Sequence, residues 1–229
     1  MVPDRSLRAR LFKAVRNPKL AVEYLVTRAI VQPIRLLGEH KFDKYHNIVT
    51  GSRVKNARLG AADADSLRHA TMYQAVPLKY LEVIFGCLGA DPAQHFVDIG
   101  CGKGRACFFA ASRFQRITGI DFSESLIAAA NRNLDSFRNS HGAQLSFEVG
   151  DARHFQLPDE RVVVYLYNPF DEHIFAEFLR LNLQHFRRHG SRIAYVNDVC
   201  AALLESTGFV TEFRDSRRKI GTYRLQSGA

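Results

Sequence analysis

Three glycines at alternate positions, Gly100, Gly102 and Gly104, stand between Asp98 and Arg105. Spacing of this kind lets a backbone turn tightly and approach a ligand with no Cβ in the way. Two further acids follow. Asp121 closes the next apolar run, where a carboxylate can accept hydrogen bonds from both hydroxyls of a ribose. Asp151, within Val149-Gly150-Asp151-Ala152, closes a third run, where it can accept from an exocyclic adenine amine. Three carboxylates ending three successive runs repel a pyrophosphate and attract a cationic, adenosine-bearing ligand.

Three readings of the glycine loop compete. A phosphate-cradling loop needs Gly-Lys-Ser/Thr, whereas Lys103 is followed by Gly104. A dinucleotide fingerprint counted from Gly100 needs a small residue at 105, which is Arg105; counted from Gly102 it needs one at 107, which is Cys107. A sulfonium nucleoside fits the acids, and a dinucleotide fits them less well.

The elements that must position these residues are legible as short apolar runs at 95–99, 116–120, 145–149, 161–167, 192–196, 209–213 and 220–225. Helical stretches fit between most of them, at 104–114, 123–138, 171–188 and 198–207. This pattern predicts an α/β fold with a doubly wound, seven-stranded, mostly parallel sheet. Only Asp215 to Lys219 separate the last two runs, too few for a parallel crossover, so an antiparallel C-terminal hairpin is expected. Upstream, a helix is expected over 69–88. Leu7, Leu11 and Val15 suggest one helical face, and Asn17-Pro18 marks the start of a second helix running until Pro33 interrupts it. Residues 38–66 read as mixed and loop-rich. The expected division is a basic helical extension with a lid over 1–66 and a catalytic domain over 67–229.

Residues 95–151, with the order of the surrounding elements from about 69 to the C-terminus, resemble the class I S-adenosylmethionine (SAM)-dependent methyltransferases. The resemblance implies SAM as cofactor. It implies that the backbone of Gly100, Cys101 and Gly102 receives the methionine part, that Asp121 holds the ribose, and that Asp151 and Ala152 meet adenine with Phe122 packed against it. Asp98, Gly104 and Asn168 complete the implied cofactor set. After the fourth run, Asn168-Pro169-Phe170-Asp171 resembles the Asn/Asp-Pro-Pro-Tyr/Phe signature of methyltransferases acting on planar amides and nucleobase amines, without its second proline. It is similarly close to the Asn-x-Phe segment of the non-SET histone-lysine methyltransferases. These four residues are the expected catalytic set, with Asn168 orienting an amine, Phe170 walling the site and Asp171 taking a proton or holding a cation. Phe42 to Thr50 and Tyr73 to Pro77 resemble segments of a bacterial methyltransferase group of largely unassigned substrate. Tyr45, His46 and Tyr73 are therefore expected in a lid, and His46 or His173 is a candidate base.

Composition bounds the partners. Apolar residues make up 46% and charged residues 24%, the balance of a globular domain. No run is long and apolar enough to span a membrane and no secretory signal is evident, so a cytoplasmic protein is expected. Cys87, Cys101, Cys107 and Cys200 have no metal-ligand spacing; reduced thiols and no metal are expected. The net charge of +9 arises wholly in residues 1–60, with 13 Lys/Arg against 4 Asp/Glu. This strip suits the phosphates of RNA, an anionic membrane surface, or plain solvation of a capping segment. Sparse aromatics, Phe12 and Tyr24, favour solvation. The sequence therefore points to methyl transfer onto an unidentified acceptor, with a nitrogen nucleophile on a protein side chain or small molecule preferred. Its rivals are an RNA methyltransferase, a nicotinamide-dependent oxidoreductase and a non-catalytic SAM-binding module.

Overall fold

The computed structural model describes residues 22, 26, 31–51, 53–54, 73–89, 91 and 94–226. The expected helices over residues 7–30 lie outside these, apart from Val22 and Val26, which are helical. The chain divides into two units, Met1–Phe42 and Asp43–Ala229.

Seven strands form one sheet: β3 (His95–Ile99), β4 (Arg116–Asp121), β5 (Gln144–Val149), β6 (Val162–Tyr167), β7 (Arg192–Val196), β8 (Phe209–Asp215) and β9 (Ile220–Leu225). Their order is β5-β4-β3-β6-β7-β9-β8. The pairings from β5 to β7 are parallel, and β9 runs antiparallel to both β7 and β8, which gives the expected hairpin. Central β6, Val-Val-Val-Tyr-Leu-Tyr, is buried over its first five residues, as a parallel strand covered on both faces must be. From β3 the chain winds outward to β4 and β5, then returns to start β6 on the other side. The strand order therefore reverses between β3 and β6, and open α/β sheets bind ligands beyond the carboxyl ends at such a point.

Helices α3 (Arg105–Ala110), α4 (Glu124–Ser136), α5 (Glu172–His189) and α6 (Ala201–Ser206) follow β3, β4, β6 and β7. Helix α5 buries Ile174, Phe175, Phe178, Leu179, Asn182 and Phe186 along one face, and carries Arg187, Arg188 and His189 in its last turn, where cations suit the helix dipole.

One expectation upstream is corrected. The helix expected over 69–88 is α2, Leu78–Leu88. Ahead of it Tyr73–Gln74 forms the short strand β2, paired antiparallel with β1, Arg53–Val54. Pro77 is the reason: it biases Val76 away from helical backbone and is itself extended, with ψ 133°. The helix expected to run from Pro18 until Pro33 lies outside the described residues but for Val22, Val26 and Val31. Pro33 itself lies in the first turn of α1, Gln32–His46, where a missing N–H is tolerated, and residues 38–46 of the stretch expected as mixed are helical. Among the described residues no helix is long and apolar enough to cross a membrane.

No helix joins β5 to β6. Residues 150–161 run through turns, and buried Asn182 of α5 ties them down. Its Oδ1 accepts from Leu157 N (2.9 Å), and its Nδ2 donates to the carbonyls of Phe155 and Phe178 (both 3.0 Å). Asn182→Ala would leave a buried N–H without its acceptor, and we expect a loss of about 2–4 kcal/mol in urea unfolding. A loss below about 0.5 kcal/mol would show that water replaces the amide there.

Candidate active site

The strand ends bring the glycine loop, the three acids and the Asn168 loop to one cavity of about 350 Å³. Gly100, Gly102 and Gly104 have φ of 79°, 56° and 84°, all left-handed. A Cβ at Gly100 would lie 2.2 Å from Pro169 Cβ, and one at Gly102 would lie 2.1 Å from the Tyr73 ring. The loop is thus closely approached by the protein itself as well as being shaped for a ligand. Gly100 N and Cys101 N both donate to Ile120 O at 2.8 Å, which folds the loop across the end of β4.

Asp121 is 6% exposed. Its Oδ2 accepts from Gly102 N and its Oδ1 from Ser123 N, each at 2.9 Å. Burial pushes its carboxyl up to about 6 against the opposing pull of these two N–H groups. Asp98 lies deeper, and burial pushes its carboxyl up to about 8, although Cys107 Sγ donates to its Oδ2 at 3.5 Å. Asp151 is half-buried and paired with Arg153, whose Nη2 lies 2.7 Å from Oδ2 and whose backbone N–H donates to Oδ1 at 2.8 Å. Its carboxylate is therefore already engaged by a neighbouring side chain.

Most of the expected cofactor set lines the cavity: Asp98, Gly100, Cys101, Asp121, Phe122, Asp151, Ala152 and Asn168. Gly102 and Gly104 stand behind it, against Tyr73 and Phe147. Asn168, Pro169 and Phe170 line the opposite wall. Asn168 holds φ 41°, a left-handed conformation that asparagine tolerates, and Tyr195 Oη donates to its Oδ1 at 3.5 Å. Asp171 does not line the cavity. It caps α5, accepting from His173 N (3.1 Å) and Ile174 N (3.3 Å). His173 is exposed beside Glu177, 3.7 Å away. Of the three expected lid residues only Tyr73 lines the cavity. Tyr45 is 68% exposed and its carbonyl accepts from Arg138, while the His46 ring packs against Phe137.

Sequence reasoning missed the residue that fixes the roof. Arg105, 2% exposed, donates through Nε to Thr50 Oγ1 (2.7 Å) and through Nη1 to Val76 O (3.2 Å), with Nη2 3.7 Å from Asp43 Oδ1. Asp43 in turn accepts from Thr50 N (2.8 Å), Thr50 Oγ1 (2.7 Å) and Gly51 N (3.1 Å). Tyr73 Oη donates to Thr50 O at 2.9 Å. Residues 43–51 and the roof segment 73–76 are thereby joined to the start of α3. Asn197, after β7, was also missed; it lines the cavity with φ 57°. Its signal was the same as that of Asn168, an asparagine directly after a buried strand. Among the described residues no group of three or more His, Cys, Asp and Glu is arranged to hold a metal.

A glycine loop at the reversal point of a doubly wound sheet, with acids closing the next two strands, defines a Rossmann-like nucleoside-cofactor domain. Residues 96–193 match the family model described as "Methyltransferase domain". Over those residues, somewhat under half of its length, the chain is similar to methyltransferase domains. The glycopeptide N-methyltransferase MtfA, solved with S-adenosylhomocysteine, shares the fold at 12% identity, covering 65% of this chain and 89% of that one, with a TM-score of 0.52. Magnesium protoporphyrin IX methyltransferase from Synechocystis PCC 6803, solved with SAM, matches at 16% identity over 65% and 79%, with a TM-score of 0.49. Phosphoethanolamine N-methyltransferase 1 of Haemonchus contortus matches at 25% identity over 51% of this chain, with a TM-score of 0.41; the match spans only 25% of that enzyme's length.

The two buried acids make the ligand-free fold sensitive to pH. Each carboxyl keeps its proton to higher pH in the folded chain than in the unfolded one, so stability is greatest in acid and declines as pH rises through about 6 and then about 8. Thermal midpoints of the ligand-free protein should fall from about pH 5 to 9, and Asp98→Asn should flatten the upper part of that fall. The same slope in Asp98→Asn as in wild type would show that Asp98 ionises without penalty.

Proposed function

We propose that this chain transfers the methyl group of SAM to a nitrogen nucleophile, on a protein side chain or a small molecule. The observation that carries the reading is the split in the cavity's chemistry. Its three carboxylates, Asp98, Asp121 and Asp151, all belong to the β3–β5 side, while the β6–β7 side offers the amides Asn168 and Asn197 between aromatic walls, Tyr167 and Phe170. Asp121 takes the ribose hydroxyls, Asp98 faces the ammonium of the methionine part, and the Asp151–Ala152 turn meets adenine beside Phe122. Held by these residues, SAM would supply its methyl group to an acceptor bound on the amide side.

Methyl transfer from a sulfonium is an in-line displacement in which the sulfur leaves with the electron pair of its methyl bond. The protein's task is to align an unprotonated nucleophile. Carbonyl oxygens of Asn168 and Asn197 suit the N–H groups of an amine or amide, holding its lone pair towards the methyl group. Asp171 belongs to the helix cap in this reading rather than to the chemistry.

Three measurements test it. Labelled methyl from SAM, offered to a fractionated lysate, should enter protein or small molecules; label confined to RNA would replace this reading with an RNA methyltransferase acting through the basic strip. Asp121→Ala should weaken S-adenosylhomocysteine binding by about 1.5–3 kcal/mol, roughly 10- to 150-fold, in calorimetry. Wild-type affinity there would refute the placement of the ribose. Asp171→Ser keeps a capping oxygen and should leave the transfer rate near wild type, whereas Asn168→Ala should lower kcat roughly tenfold to a hundredfold. A rate loss in Asp171→Ser as large as in Asn168→Ala would return Asp171 to the catalytic set.

A further inference from the structure

Tyr165 is the fourth residue of β6 and lies in register with Asp98 of β3, so the two side chains leave the same face of the sheet. Its ring is fixed by Phe96 and Phe85, at centroid distances of 5.6 and 6.5 Å. The residue is 1% exposed and lines the cavity together with Asp98. Its hydroxyl oxygen has no hydrogen-bonding partner among the described residues. A buried hydroxyl left unpaired destabilises the fold, and phenylalanine would fill the same space among these rings without that penalty. The partner is therefore to be sought in what the cavity takes up. A phenolic hydroxyl can donate or accept, and an ammonium group entering beside Asp98 would favour that carboxyl's ionised form while donating both to it and to the phenolic oxygen.

We propose that Tyr165 is a cofactor-binding residue whose hydroxyl oxygen accepts a hydrogen bond from the α-ammonium of SAM, beside Asp98. The cofactor then completes the hydrogen bonding of a side chain that the described residues leave unsatisfied. The inference rests on the cofactor placement given above and goes beyond it in adding a neutral acceptor from the neighbouring strand. The two acceptors fix the direction of the methionine arm, which a single carboxylate leaves free to pivot.

Tyr165→Phe removes the hydroxyl and keeps the ring. Calorimetry should compare wild type and variant with S-adenosylhomocysteine and with 5′-methylthioadenosine, which lacks the amino-acid end. The variant should bind S-adenosylhomocysteine roughly tenfold more weakly or worse, bind 5′-methylthioadenosine as wild type does, and unfold without ligand at the same or a higher temperature. Unchanged affinity for S-adenosylhomocysteine would overturn the inference while leaving the cofactor placement intact. So would an equal loss for both ligands, which moves the hydroxyl away from the amino-acid end, or a lower unfolding temperature, which gives it a partner within the protein. Failure of wild type to bind S-adenosylhomocysteine at all would overturn the cofactor placement and this inference with it.

Discussion

The site depends on the carboxylate of Asp121. One oxygen takes the N–H of Gly102 and the other takes the N–H of Ser123, so a single side chain at the end of β4 closes the glycine loop of one βα unit and starts the helix of the next. Ser123 continues the chain of support, accepting from Leu126 N as the cap of α4. Removing water from this carboxylate is costly, and backbone donors fixed by the fold offset that cost better than mobile side chains would. Lone pairs not aimed at the backbone remain for a ligand, so the group that shapes the loop also serves the pocket.

A second layer of support comes from farther along the chain. Arg105 reaches the segment around Thr50 and the carbonyl of Val76, while Asn133 of α4 accepts from Val49 N at 2.8 Å and donates to Lys103 O at 3.1 Å. Polar networks of this kind are costly when half-made and rigid when complete. Tyr73 is held over Gly102 by that network, which places an aromatic ring against the cofactor loop with no secondary structure larger than a two-residue strand beneath it.

Much of this was readable from the chain. The buried strands stood out because a covered parallel strand must be apolar throughout, as in Val162 to Leu166, and the hairpin followed from the five residues between the last two runs. The acids were legible because strand ends are fixed once strands are. The misreadings have physical causes. Apolar spacing through 73–84 imitates a helix, and only Pro77 shows that the first part is extended. Asp171 follows β6, where chemistry is expected, and an acid directly before an amphipathic run is equally what a helix cap looks like, the role its contacts give it. The pairing of Arg105 with Asp43 and Thr50 left no local mark, since each residue alone resembles an ordinary polar position. The hydroxyl of Tyr165, without a partner among the described residues, depends on rings from two other elements and has no sequence signature.

The contact between Gly100 and Pro169 ties together two loops that belong to different strands and different tasks. A methyl group at position 100 would occupy the space of the Pro169 ring, and a bulkier or differently angled residue at 169 would press on the backbone at 100. The two positions therefore cannot drift separately. A lineage that gives up the glycine must reshape the turn after β6 in the same step, and one that acquires a new acceptor by remodelling that turn inherits a limit set by its cofactor loop. The flanking positions Tyr167, Phe170 and Asn197 also line the cavity but are not among the atoms that crowd the glycine, so they can change without this constraint.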